Sequence, residues 1–154
     1  MKILVCSDSH GNVDNMVRAV ERSQPQLVIH LGDGWRDAEK LARLFPDLPV
    51  EQVPGNCDLR PGTPGERVLC LEDRRILLCH GHAYGVKQNL LPLALAAEEQ
   101  RVDAVLFGHT HRALYDRRGE LTILNPGSIG DYVQPSYGVL WLRREGITAD
   151  LLRL

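Results

Sequence analysis

The chain has few aromatic residues and little net charge. Phe, Trp and Tyr make up 5% of its 154 residues, and the formal net charge is −2. Grooves that bind nucleic acid need cations and flat stacking rings, and anionic membranes attract basic surfaces. We therefore expect neither a stable nucleic-acid complex nor binding to a membrane. A small phosphorylated substrate is compatible with this charge, because metal ions can supply positive charge locally.

Paired cysteines and long apolar runs are also missing. The four cysteines, Cys6, Cys57, Cys70 and Cys79, form no Cys-x-x-Cys pair, which argues against a zinc ribbon and against a thioredoxin-type redox motif. No apolar stretch approaches the roughly 20 residues that cross a membrane. The apolar start at residues 1–5 is too short for a signal peptide. We expect a cytoplasmic protein, because a reducing compartment suits unpaired cysteines.

The first third of the chain alternates short apolar runs with amphipathic segments. Hydrophobic content is 44% and charged content 25%, which is ordinary for one globular domain, so we expect residues 1–154 to form a single domain. A βαβαβ order implies a largely parallel sheet. The elements predicted here are strands at residues 2–6, 27–31 and 50–53 and helices at residues 13–22 and 35–45.

The second half is rich in predicted strands. A Gly- and Pro-rich loop at residues 54–65 separates it from the first half. One helix is predicted at residues 87–100, where Pro92 favours a later start. We predict an α/β fold in which two sheets pack face to face with helices outside. The predicted strands are residues 67–71, 75–79, 104–107, 113–115, 121–124, 137–142 and 147–152.

Polar side chains follow most of the predicted strands of the first two thirds of the chain. In an open α/β sheet the ends of the strands border the crevice that holds the chemistry. We therefore expect these side chains to meet at one edge of the fold. They are Asp8 and His10, Asp33, Asn56 and Asp58, His80 and His82, and His109 and His111.

Each of these residues has a simpler explanation when taken alone. Asp33 lies in a glycine turn, where Asp often bonds its own backbone, and His10 could cap a helix. His30 lies inside a predicted strand, and we interpret it as a core or strand-face histidine. The joint pattern favours a metal site, because His is the commonest transition-metal ligand and Asp and Asn oxygens suit Mn or Mg.

Seven or eight candidate ligands are too many for one tetrahedral ion. They fit two ions about 3.5–4 Å apart, an arrangement used in phosphoester cleavage, where the ions polarise the phosphoryl oxygens and lower the pKa of a bridging water. Asp33 is our candidate for the carboxylate that both ions share. The helix predicted after Asn12 would begin near the site, and its positive end would favour a phosphate.

Five short motifs carry this pattern in chain order, and a sixth follows them. Together they resemble the signature of the calcineurin-like metallophosphoesterases, and the chain is similar to the small YfcE-like phosphodiesterase branch over essentially its whole length. The motifs are Asp8-Ser9-His10, Gly32-Asp33, Gly55-Asn56-Cys57-Asp58, His80-Gly81-His82, Gly108-His109-Thr110-His111 and Asn125-Pro126-Gly127-Ser128.

The resemblance implies a fold, a cofactor and a role for each residue. The fold would be a four-layer α-β-β-α sandwich of two mixed sheets flanked by helices, and the metal would be Mn²⁺, with Mg²⁺, Ni²⁺, Fe²⁺ or Zn²⁺ used by some members. Asn56 would also orient the phosphate of a small phosphoester, Asp58 would orient a neighbouring group, and His80 would complete the catalytic set. The implied ligands are Asp8, His10, Asp33 and His111 for the first ion and Asp33, Asn56, His80 and His109 for the second.

Cys57 departs from the wider superfamily, whose larger members carry there a His that protonates the leaving group. A neutral thiol is a poor proton donor. His82 could take this role, although we favour a simple structural bond for it. The alternative function is a non-catalytic docking scaffold of the same fold, which the complete ligand set disfavours. A homodimer is possible, since dimers are the commonest soluble oligomers.

We expect loops around the site to determine the specificity for substrate. An aromatic and two basic side chains in these loops each have two possible roles. Trp35 could stack on an aromatic group of the substrate or pack its own helix. Arg36 and Arg60 could contact phosphate or remain solvated.

Overall fold

The computed structural model describes residues 1–60 and 62–154. Pro61, which falls in the predicted loop at residues 54–65, lies outside the described residues. The strands are β1 Lys2–Cys6, β2 Leu27–His30, β3 Val50–Gln52, β4 Glu66–Leu71, β5 Arg74–Cys79, β6 Ala104–Leu106, β7 Ala113–Arg118, β8 Leu121–Pro126, β9 Ser136–Arg143 and β10 Gly146–Arg153. The helices are α1 Val13–Ser23, α2 Trp35–Leu44 and α3 Leu91–Glu99.

The strands form two mixed sheets of five strands each. The first has the order β10-β9-β1-β2-β3 and the second β4-β5-β6-β8-β7. In the first sheet β1, β2 and β3 run parallel, while β9 joins β1 antiparallel and β10 follows as the edge strand. The predicted pair of mixed sheets is confirmed.

Side chains that point alternately to the two faces of each sheet produce the layers of the fold. In β1, Ile3 and Val5 point into the core between the sheets, whereas Leu4 belongs to the apolar cluster beneath α1 and α2. In β5, Leu78 points into the same inter-sheet core and Leu77 belongs to the cluster beneath α3. Because successive side chains of a strand face opposite sides, each sheet is covered on both faces. The predicted α-β-β-α sandwich is therefore confirmed.

The helix termini follow local chemistry. The Asn12 side chain accepts a hydrogen bond from the Asn15 amide at 3.0 Å, which caps α1 as predicted. α3 begins at Leu91 rather than at residue 87, with Pro92 in its first turn. Pro fits there because the first helical amides have no intrahelical acceptor. A short 3-10 turn, His82–Tyr84, precedes it and was not predicted. In the described residues, no helix combines the length and the apolar character needed to span a membrane.

The loops that follow the parallel strands of both sheets meet at one edge of the sandwich. The loop after β5 contacts the loop after β2, since the His80 ring lies 2.7 Å from the Leu31 carbonyl oxygen. The loop after β6 contacts the loop after β1, since the His109 amide donates to Asp8 at 3.1 Å. This edge brings the predicted site together.

We expect Leu78→Ala to destabilise the fold strongly, because Leu78 is 0% exposed in the inter-sheet core. Removing such a side chain typically costs about 2–5 kcal/mol. Leu95→Ala is the matched control, because Leu95 is 48% exposed on α3, and it should change the free energy of unfolding by less than about 0.5 kcal/mol. Urea denaturation measures both values, and similar losses in the two variants would contradict this assignment of the core.

Candidate metal centre

Two carboxylates form the centre of the site, and each has one oxygen fixed by hydrogen bonds. Asp8 is fully buried and Asp33 nearly so. The Oδ2 atom of Asp8 accepts bonds from the Ser7 hydroxyl at 2.6 Å and from the His109 amide at 3.1 Å. The Oδ1 atom of Asp33 accepts a bond from the Cys57 amide at 2.9 Å. The other oxygen of each carboxylate, Asp8 Oδ1 and Asp33 Oδ2, is turned toward imidazole rings.

Three imidazoles approach these two oxygens. The Nε2 atom of His111 lies 3.1 Å from Asp8 Oδ1. The Nε2 atom of His10 lies 3.8 Å from Asp8 Oδ1 and 3.9 Å from Asp33 Oδ2. The Nε2 atom of His80 lies 3.4 Å from Asp33 Oδ2 and 3.9 Å from Asp8 Oδ1. Two trios whose ligand atoms lie within 4.8 Å of one another could each hold a metal ion: Asp8, His10 and His111, and Asp8, Asp33 and His80.

The fold sets the tautomer of His80. Its Nδ1 atom lies 2.7 Å from the Leu31 carbonyl oxygen, which can only accept a hydrogen bond. The proton is therefore on Nδ1, and the Nε2 lone pair faces the carboxylates. The Nδ1 atom of His109 lies 3.2 Å from this Nε2 atom. Fixing one ring nitrogen in this way is how proteins orient a metal-binding imidazole.

The charges of the site favour a bound cation. Burial alone would raise the pKa of Asp33, but the His80 imidazole and the Cys57 amide hold it well below its usual range. Burial alone would lower the pKa of His80, but Asp33 and Asp8 raise it. The Asp33 carboxylate thus stays ionised and attracts positive charge. A metal ion and a proton would compete for His80.

The backbone is left-handed at most of the predicted ligands. Such a conformation is uncommon for residues other than glycine and costs about 1 kcal/mol or more at each position, so the surroundings must impose it. It recurs at five of the seven: Asp8 with φ 55°, His10 with φ 45°, Asp33 with φ 56°, His109 with φ 67° and His111 with φ 58°. Gly32 permits the close approach of two of the loops, because a Cβ atom there would lie 2.5 Å from the Gly55 nitrogen.

Asp58 fixes the backbone around Asp33. Its Oδ2 atom accepts bonds from the amides of Asp33 and Gly55, both at 2.8 Å. Its Oδ1 atom accepts bonds from Gly34 at 3.1 Å and Trp35 at 3.0 Å. Asp58 therefore caps α2, whose own N-cap residue, Gly34, offers no side chain for this. These bonds are the geometry that the predicted orienting role requires.

Asn56 and His82 lie beside the cluster. Asn56 is exposed, and the amide of its neighbour Cys57 donates to the Asp33 carboxylate. The place of Asn56 as a ligand stays a prediction. The His82 ring centroid lies 5.5 Å from that of His80 and 6.0 Å from that of His109. Burial and then His80 lower the pKa of His82. Both roles considered for His82 remain open.

A buried polar network beneath the site contains residues for which we predicted no functional role. The Gly32 amide donates to His30 Nδ1 at 3.2 Å, so the Nε2–H group of His30 donates to the Ser9 hydroxyl at 3.0 Å. Ser9 in turn donates to Asp37 Oδ2 at 2.6 Å, and Asp37 also accepts from the Gly11 amide at 2.8 Å. Ser9 lies between two predicted ligands, so this network joins the loops after β1 and β2. The signal in the sequence was a histidine inside an otherwise apolar strand.

The Asn125-Pro126-Gly127-Ser128 motif, for which we predicted no role, ties further loops together. The Asn125 amide group donates to the Gly108 carbonyl at 2.9 Å and to the Thr110 hydroxyl at 3.0 Å. The Ser128 hydroxyl donates to the Asp8 carbonyl at 2.9 Å. These bonds fix the positions of the backbone segments that carry three of the predicted ligands.

Comparison with known proteins gives consistent matches. Residues 1–145 match the calcineurin-like phosphoesterase superfamily domain. The chain is 40% identical over 133 residues to the probable metallophosphoesterase YsnB of Bacillus subtilis (strain 168), covering 84% of this chain and 75% of YsnB. It is 33% identical over 153 residues to the phosphodiesterase YfcE of Escherichia coli (strain K12), covering 84% and 79%. The crystal structure of a predicted phosphoesterase from Streptococcus pneumoniae TIGR4 aligns with a TM-score of 0.82 and 28% identity, covering 99% of this chain and 88% of that one.

We expect Asp58→Ala to weaken both the fold and metal binding. Four backbone amides would lose their acceptor, which should cost about 1–3 kcal/mol in the free energy of unfolding. Loss of a group that orients ligands typically lowers metal affinity by about 10–100-fold. Urea denaturation and calorimetric titration with Mn²⁺ measure the two effects. Asp47→Ala, an exposed aspartate, is the control, and unchanged Mn²⁺ affinity in Asp58→Ala would refute the orienting role.

His30 should make the stability depend on pH. Burial lowers the pKa of His30 from 6.5 to about 4. Between these pH values the unfolded chain binds a proton that the folded chain does not, so the free energy of unfolding falls as the pH falls from 6.5 to 4, by up to about 3 kcal/mol. In His30→Gln this contribution should be absent. Urea denaturation at pH 7 and pH 4.5 tests it, and parallel pH curves for the two proteins would contradict it.

Proposed function

Because the chain belongs to the calcineurin-like phosphoesterase superfamily, we propose that it is a metal-dependent phosphodiesterase that uses two divalent ions. The observation that carries the proposal is the convergence of two buried carboxylates with imidazoles from three separate loops. When bound, the two ions would polarise the phosphoryl oxygens and supply a bridging hydroxide for in-line attack on phosphorus. We also propose that residues 1–154 act as one catalytic domain on small phosphoesters.

The donor atoms fit such ions. Imidazole nitrogens and carboxylate oxygens suit Mn²⁺ first and Mg²⁺, Ni²⁺, Fe²⁺ or Zn²⁺ as alternatives. Asp33 is the proposed shared ligand, as the resemblance implies, and its Oδ2 atom lies within 4 Å of one proposed ligand of each ion, His10 and His80. The proposed assignment is Asp8, His10, Asp33 and His111 for the first ion and Asp33, Asn56, His80 and His109 for the second.

Three residues have further proposed roles in the reaction. The exposed amide of Asn56 would donate to a phosphate oxygen and orient it. Asp58 would act through the backbone of the Asp33 loop, without contacting substrate. His80, its proton held on Nδ1 by the Leu31 carbonyl, would keep its Nε2 atom directed at the reacting centre.

Two cavities are lined by residues of the loops that carry predicted ligands. One, of about 400 Å³, has His10 and Asp33 in its wall. The other, of about 570 Å³, includes Thr110, which lies between two predicted ligands, together with the cations Lys87 and Arg112. A phosphodiester has two substituents on its phosphorus, and the first cavity, which has predicted ligands in its wall, offers space for one of them.

A non-catalytic scaffold of this fold has less support. Buried carboxylates are costly in free energy unless they are paired or bind a cation, and a docking module would have no need of Asp8 and Asp33 in one cluster. A homodimer and a cytoplasmic location stay predictions from the sequence.

We expect the protein to hydrolyse bis-nitrophenyl phosphate only with a divalent metal present. A chelator should abolish release of nitrophenolate and added Mn²⁺ should restore it. Asp33→Ala should lower kcat/KM by more than about 100-fold, because the shared ligand is lost. The exposed Asp47→Ala is the control and should retain wild-type turnover. Equal activity of Asp33→Ala and the wild-type protein would eliminate the proposed function.

A further inference from the structure

The wall of the cavity of about 400 Å³ beside the cluster contains more than predicted metal ligands. His10 and Asp33 line it, and so do Trp35, Leu59 and Arg60. This volume is within the range of small-molecule sites, about 300–1,000 Å³. A substituent on a phosphorus held at the ions could therefore extend into this space.

Trp35 and Arg60 form a stacked pair of planar groups, and this pair is part of the surface of that wall. The Arg60 guanidinium carbon lies 5.1 Å from the centroid of the Trp35 ring. Glu39 holds both groups, since its Oε1 atom accepts a hydrogen bond from the indole N–H at 3.0 Å and lies 3.7 Å from an Arg60 nitrogen. Both side chains are only partly buried, so the surface is accessible from the cavity.

This surface is chemically suited to an aromatic ring. Indole rings and guanidinium planes both stack on bases and aryl groups, and stacking on an aromatic side chain changes affinity by about 5- to 150-fold per ring. A short alkyl group cannot gain this contact. We propose that the cavity is a subsite for a flat aromatic substituent of the phosphoester, an aryl ring or a nucleobase, and that Trp35 determines this specificity. The proposal deepens the proposed function and rests on it.

The position of Trp35 is coupled to the loop that carries Asp33. This coupling runs through the backbone of Trp35 and not through its ring. Its amide donates to Asp58, which also holds the Asp33 amide. Substitution of the side chain leaves these bonds in place, and Ala is a good helix former at the start of α2. Trp35→Ala therefore removes the ring and its contacts with Glu39 and Arg60, and it keeps the backbone bonds that hold the Asp33 loop.

The experiment compares phosphate monoesters as competitive inhibitors of bis-nitrophenyl phosphate hydrolysis with Mn²⁺. In the wild-type protein, phenyl phosphate should bind at least about 10-fold more tightly than methyl phosphate. In Trp35→Ala the two inhibition constants should agree within about twofold, and Trp35→Phe should keep most of the preference. The inhibition constant of methyl phosphate should be the same in all three proteins.

Trp141 provides a matched control. It also has cations over its ring, Lys2 and Arg143 both at 4.9 Å, but it pairs with Lys2 at the start of β1, the end of the strand away from the site. Trp141→Phe should leave both inhibition constants unchanged. Because the chain has two tryptophans, this variant also makes Trp35 the sole indole. Its fluorescence should change when phenyl phosphate binds and not when methyl phosphate binds.

Each outcome decides one point. Tighter binding of adenosine monophosphate than of phenyl phosphate, lost in Trp35→Ala, would identify a nucleobase as the substituent, and weaker binding would identify a simple aryl group. Equal binding of phenyl and methyl phosphate by the wild-type protein, or a preference that survives in Trp35→Ala, would overturn the subsite. Failure of the proposed function would appear differently, as absence of metal-dependent turnover in the wild-type protein, and the fluorescence titration would then still decide the subsite.

Discussion

The structure depends on keeping two carboxylates, those of Asp8 and Asp33, buried close together despite the repulsion between like charges. Asp8 and Asp33 approach the same two imidazoles, those of His10 and His80, and each has one oxygen that accepts backbone or hydroxyl hydrogen bonds. Ionised groups removed from water must be compensated by partners of opposite charge or by directed dipoles. The amides fix the position of each carboxylate, and the remaining oxygens give the site its affinity for cations.

The loops that carry these groups are strained, and polar contacts between loops maintain the strain. Asp58 bonds amides of the Asp33 turn and of the loop after β3, and the Ser9, His30 and Asp37 side chains join the loops after β1 and β2. Ser128 bonds the carbonyl of Asp8 itself. Left-handed backbone at a ligand is stable only where the surroundings define it completely. The two sheets supply the rigid frame from which all these loops extend.

The metal side and the substrate side share one structural element. α2 begins at Trp35, two residues after Asp33, and one carboxylate, Asp58, bonds the amides of both. The proposed chemistry and the proposed recognition of an aromatic group are therefore fixed by the same turn. Such coupling explains how short loops can form a selective site, because one set of hydrogen bonds positions both the ligand and the stacking ring.

The sequence determined the elements and the chemistry of the ligands, because these depend on local signals. Apolar periodicity gave the strands, Asn12 gave the start of α1, and the polar residues after the strands gave the cluster. Only the tertiary structure decided which long-range partners fix them. The Leu31 carbonyl sets the His80 tautomer, His30 bonds Ser9, and β9 pairs with β1. Each of these contacts joins residues more than 20 positions apart, and no local pattern encodes the distance between such residues in the folded chain.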